Sequence, residues 1–148
     1  MLLVACGQAR DASDEAGGNQ IEYVPLGINW VKKYVKDEDP ANRDAQARDL
    51  ARKIADEMLS RMQASAEPLD AIAESVISAK LGPKAVNDPK RRKMVTVPAS
   101  KAGEADLPPD AKEALAAFAR KAKPGDVVDS PLGSGPVLVV ARAAKPEK

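Results

Sequence analysis

Histidine is absent from the chain. With it go the usual general base at neutral pH, the commonest nitrogen ligand for metals, and every nucleophile that relies on an imidazole partner. One cysteine, Cys6, excludes an internal disulfide. The aromatic side chains are Tyr23, Trp30, Tyr34 and Phe118 only, so a core has to be built from Ala, Val, Leu, Ile and Met. No apolar run approaches the ~20 residues a helix needs to span a bilayer. An excess of either charge is also missing: 23 basic residues face 22 acidic ones, net +1. That balance argues against a nucleic-acid partner, which needs a basic stripe. The one basic cluster, Lys90-Arg91-Arg92-Lys93, is short and reads as a solvated loop. Gly133-Ser134-Gly135 is not a nucleophile elbow, and no phosphate-loop or dinucleotide fingerprint occurs. Neither a cofactor nor a metal is expected.

What is present begins at the N-terminus. Leu2-Leu3-Val4-Ala5-Cys6-Gly7 resembles the end of a bacterial lipoprotein signal, with Leu3, Ala5 and Cys6 in the aliphatic, small and lipidated places. Such a signal carries a basic stretch and ~7–15 apolar residues ahead of its cleavage site, which here would lie upstream of Met1. Gly7 to Gln20 is rich in Ala, Asp, Gly and Ser and lacks apolar periodicity. It buries too little surface to offset its ordering entropy and reads as a tether. The resemblance implies an acylated Cys6 that holds the domain at a membrane in the cell envelope, in the periplasm or on the outer surface, each buried methylene contributing ~0.8 kcal/mol. The plainer reading of Cys6 is a small buried thiol near a terminus. The expected organisation is a signal remnant and tether over 1–20, a folded domain over 21–142 and a charged tail over 143–148.

The folded part opens with Ile21–Ile28, a β-rich run in which Pro25 suggests an edge position or a bulge. Trp30 to Lys36 reads as a loop or short helix. Asp39-Pro40 starts a helix, with Asp as the cap and Pro in the first turn. Ala47, Leu50, Ala51, Ile54, Ala55, Met58 and Met62 then recur at helical spacing. Pro68 opens a second helix, with Leu69, Ile72, Ala73 and Val76 as its stripe, and Gly82-Pro83 ends it. Residues 83 to 92 read as a loop, Met94–Val97 as a short strand, and Lys101 to Asp106 as another loop. Pro108-Pro109-Asp110 starts a third helix with Leu115, Phe118, Ala119 and Ala122 on one face. Val127-Val128 and Val137–Val140 read as a last antiparallel strand pair across a Gly/Pro turn. The sum is an α+β domain, a four-stranded sheet with three to four helices packed on it.

This order of elements resembles the parvulin family of peptidyl-prolyl cis-trans isomerases over residues 21 to 142. Leu69-Asp70-Ala71-Ile72-Ala73 is similar to the family's short second helix. Leu107 to Phe118 followed by Lys123-Pro124-Gly125-Asp126-Val127 is similar to its next helix and Lys-Pro-Gly-Glu-Val turn. Ser130-Pro131-Leu132-Gly133 and Val137–Val140 are similar to its Ser-Pro-Phe-Gly turn and terminal strand. Tyr23 falls at or beside the place of the family's first histidine, and Gly135-Pro136 near the second. The family's Gly-Gly-Asp-Leu-Gly segment is not found within Leu81 to Lys93.

The resemblance implies action on unfolded or extended proline-containing polypeptides. Uncatalysed X-Pro isomerisation takes tens to hundreds of seconds, over an amide barrier of ~18–20 kcal/mol. A dry apolar pocket that favours the twisted amide lowers it without an imidazole. By the resemblance, Leu107, Leu115 and Phe118 would hold the proline ring, Tyr23 would offer its hydroxyl to the pocket floor, and Ser130 would stand nearby as a polar group. Two other readings are open: a peptide-binding chaperone or interaction module that kept the fold and lost both histidines, and an unrelated α+β envelope lipoprotein. A groove open beside Tyr23 and Phe118 favours the isomerase; a groove filled by those side chains favours the others.

Overall fold

The computed structural model describes residues 20–36, 38–65, 67–133 and 135–144. Cys6, nearly all of the expected tether and the end of the charged tail lie outside the described residues. The chain runs through β1 (Gln20–Gly27), α1 (Ile28–Lys32), α2 (Pro40–Ala64), α3 (Leu69–Leu81), α4 (Pro83–Val86), β2 (Val95–Pro98), a 3-10 helix (Ala99–Glu104), α5 (Pro109–Lys121) and β3 (Val137–Ala144). The class is α+β.

Helix α2 starts as its sequence dictates. The Asp39 Oδ1 accepts the Ala41 N–H at 3.0 Å, and Pro40 occupies the first turn, where an N–H would have no helical partner. Its buried stripe includes Leu59, whereas Leu50 stays half-exposed. Helix α3 buries Leu69, Ile72, Ala73, Val76 and Ile77. It stops at Gly82, whose φ of 98° is open to glycine at little cost. Pro83 then restarts one turn of helix, α4, where a loop was expected.

The sheet is antiparallel with strand order β2-β1-β3. Three strands are present among the described residues rather than four. The place beside β3 expected for the fourth is taken by an interrupted segment. Val127 bridges Arg142 and Leu132 bridges Val139. By that register, Asp129, Ser130 and Pro131 stand opposite Val140 alone. Three residues against one break the ladder, and Pro131 has no N–H to offer it.

Pro25 does not lie in an edge strand, since β1 is central. The physical reason it is tolerated is local. Ile28 donates its N–H to the Pro136 carbonyl at 2.9 Å, and antiparallel alternation then turns the nitrogens of odd-numbered β1 residues away from β3. On that side β2 pairs only with Gln20–Tyr23. Pro25 therefore meets no ladder acceptor.

Helices cover both faces. Helices α2 and α3 lie against β1, and α2 also against β3; α5 lies against β3 and the 3-10 helix. Arg142 marks the α2–α3 side, since its Nη1 donates to the Glu67 carbonyl between those helices at 2.9 Å. Tyr23, alternate to Glu22, faces the other side.

Candidate functional site

Tyr23, Leu107 and Leu115, three residues expected to form a proline pocket, are parts of the core. Their exposures are 2%, 8% and 0%, and they belong to one continuous apolar cluster. Tyr23 is within electrostatic reach of Arg92 and Asp106. Burial pushes its hydroxyl pKa up, Arg92 opposes that, and Asp106 adds to it. A phenol so placed is a packed aromatic with a protonated hydroxyl. Ser130 is exposed in the bulge over Val140. Among the described residues, Tyr23, Leu107 and Leu115 are thus packed in the core while Ser130 is exposed.

Phe118 goes elsewhere. It is half-buried on α5 and lines an open groove of about 400 Å³ with Lys121, Val127, Val128 and Asp129. The turn that shapes the groove follows from Lys123-Pro124-Gly125-Asp126. The Asp126 Oδ2 accepts the Lys123 N–H at 2.9 Å, the Lys123 carbonyl accepts the Asp126 N–H at 2.9 Å, and Gly125 has φ of 95°. The chain then runs beside β3: Ala143 donates to the Asp126 carbonyl at 2.8 Å, and Val128 donates to the Ala141 carbonyl at 3.2 Å. Those two bonds flank Val127, so the N–H and C=O of Val127 itself point away from β3, toward the open edge. A half-exposed aromatic ring in a groove of mixed polar and apolar lining, with one residue's N–H and C=O turned outward, is what an extended segment can use. Lys121, Asp126 and Asp129 give the lining one basic and two acidic side chains.

Two features were missed from sequence. The outward edge at Val127 depends on the bulge at Asp129–Pro131, of which Ser130-Pro131 was the sign. Arg91, read as part of a solvated basic loop, is 8% exposed, because its Nε donates to the Val86 carbonyl at 2.9 Å across the end of α4. Among the described residues no group of three or more Asp, Glu, Cys or His could hold a metal, and no helix is long and apolar enough to cross a membrane.

No family model, curated protein or solved structure matches this chain.

Proposed function

We propose that the chain is a non-isomerising, parvulin-like binding module of a cell-envelope lipoprotein, which holds extended, proline-containing polypeptide segments in the Phe118 groove. One observation carries the reading: Tyr23, Leu107 and Leu115 are closed inside the core while Phe118 faces an open groove. The order of elements supports the resemblance. Helices α2 and α3 separate β1 from β2, α5 precedes the last strand, and the segment 125–132 lies on the outer side of β3, where a parvulin-like four-stranded sheet would carry its remaining strand.

Proline suits this edge. Val127 presents the N–H and C=O of one residue outward, so a bound segment needs one hydrogen-bonding residue, and its prolines can lie to either side without a lost bond. Their rings would rest on Phe118. Cys6, acylated, would hold the module at the membrane through the tether; Cys6→Ser would then move the full precursor from the detergent phase to the aqueous phase on detergent partition.

The direct test is a titration of the ¹⁵N-labelled domain with an extended proline-containing peptide, together with a refolding assay limited by an X-Pro step. Saturable shifts confined to the amides of 117–129, about tenfold weaker binding in Phe118→Ala, and no acceleration of refolding are expected. Shifts elsewhere, or none, sink the groove. Acceleration that disappears in Phe118→Ala would instead establish an isomerase without histidine.

A further inference from the structure

A second pocket, independent of the Phe118 groove, opens beside α1. Pro25–Gly27, Trp30, Lys90, Arg91 and Arg92 enclose about 90 Å³. Three of those side chains are cationic, and none is a carboxylate. Arg91 is the informative one. Its side chain is 4% exposed, yet the nearest carboxylate, on Glu74, stands 3.5 Å from Nη2 and is itself 55% exposed. The guanidinium Nε is spent on the neutral Val86 carbonyl. Buried charges are ordinarily paired and fully hydrogen-bonded; Arg91 has one ion pair, to a half-exposed carboxylate, and one hydrogen bond, to a neutral carbonyl.

The neighbouring acids do not remedy this. The Asp88 Oδ2 accepts from Trp30 Nε1, Lys33 Nζ and the Tyr34 hydroxyl, and its Oδ1 accepts the Lys90 N–H. Asp106 is engaged by Arg92 through its carbonyl at 2.9 Å, while its fully exposed carboxylate stays 3.8 Å away. We infer that the pocket of Trp30, Lys90, Arg91 and Arg92 binds an oxyanion, a phosphate or carboxylate group. The size agrees. At about 90 Å³ the pocket has room for one such group. Arginine supplies the paired donors that planar and tetrahedral oxyanions accept.

Trp30 is the only tryptophan in the chain and forms one wall, so its fluorescence reads the pocket directly. The full chain is titrated at constant ionic strength with sodium phosphate, sodium acetate and sodium chloride. A saturable change with phosphate, with acetate or with both, absent with chloride, is expected, and the salt that saturates identifies the class of anion. Arg91→Met should abolish the change and Arg92→Gln should weaken it about tenfold, the loss of one charge-assisted hydrogen bond. Arg92 is half-exposed, so its variant keeps the test valid should Arg91→Met fail to fold. Coincident, non-saturating responses to all three salts overturn the inference. So does a saturable response unchanged in Arg92→Gln and in folded Arg91→Met.

Discussion

Trp30 and Asp88, 58 residues apart, are joined by a hydrogen bond of 2.9 Å from the indole Nε1 to Oδ2. The same oxygen accepts Lys33 Nζ at 2.8 Å and the Tyr34 hydroxyl at 2.6 Å. The two rings stand edge to face, 5.4 Å apart. One carboxylate therefore fastens the end of α1 to the loop ahead of β2, and the same loop carries the Arg91 pocket.

That fastening makes stability depend on pH at both ends. Lys33 first, then Tyr34, hold the Asp88 carboxyl well below the usual carboxylate range. A depressed folded pKa gives stabilisation that is present above the unfolded value of ~3.9 and lost as pH falls below it. Asp44, lowered by Lys32 and then Arg48, adds a slope of the same sign. Asp88→Asn should lower the melting temperature at pH 7 and flatten its fall below pH ~4, so that the two proteins converge in acid. At the alkaline end, the bond to Asp88 pushes the Tyr34 hydroxyl up to about 12. Its contribution is complete below ~10 and is lost as pH rises toward about 12. Tyr34→Phe should remove that alkaline loss. Melts followed by circular dichroism across this range check both; parallel curves for wild type and variants would refute the linkage.

Leu115 and Phe118 lie three residues apart on α5 and should separate cleanly. Leu115 is fully buried, and Leu115→Ala should cost about 2–5 kcal/mol in urea unfolding. Affinity for an extended peptide should be unchanged wherever the variant is folded. Phe118→Ala should cost less stability and most of the affinity. A Leu115→Ala protein that is stable but cannot bind would restore the expected proline pocket.

The helices were legible because their signals are local. Asp39-Pro40 and the three- and four-residue spacing from Ala47 to Met62 are fixed within a turn or two of chain. The centrality of β1 was not legible. Pro25 argues for an edge, and only the short reach of β2 makes the centre tolerable. The fourth strand failed for a related reason, since Val127-Val128 has strand composition but the register slip at Ser130-Pro131 is a property of the pairing with β3. Candidate pocket residues were legible as apolar, not as open or filled: Leu107, Leu115 and Phe118 look alike in sequence, and only packing against the 3-10 helix and the sheet distinguishes them. Arg91 was hidden in the same way, being one of four consecutive basic residues of which the fold buries one.

Gly133 and Gly125 share a positive φ, 89° and 95°, but differ in space. A Cβ at Gly125 would meet nothing within 4 Å, whereas one at Gly133 would lie 2.7 Å from the Val137 carbonyl oxygen and 3.1 Å from the Ala111 Cβ. Gly125→Ala should therefore cost only the left-handed backbone, about 1–2 kcal/mol. Gly133→Ala should cost clearly more, because the Val137 oxygen belongs to β3 and cannot move without the sheet. Equal losses in urea unfolding would contradict this packing of the bulge against α5.

Glu22 and Arg142 are directly opposed across β1 and β3. The Glu22 Oε1 accepts Arg142 Nε at 3.2 Å and Nη2 at 2.8 Å, with the two side chains 20% and 15% exposed. The third guanidinium donor, Nη1, holds the Glu67 carbonyl between α2 and α3. The arginine thus serves two partners and the glutamate one, and the substitutions should be unequal. Glu22→Gln keeps an acceptor oxygen and the packing, and should cost about 1 kcal/mol. Arg142→Met leaves a half-buried carboxylate and a backbone carbonyl without their donor, and should cost about 2–3 kcal/mol, below the range for fully buried pairs because solvent still reaches this one. In the double variant the stranded charge is gone, so the loss should be less than the sum of the singles by about 1 kcal/mol. Strict additivity would mean that Arg142 stabilises the fold through Glu67 alone.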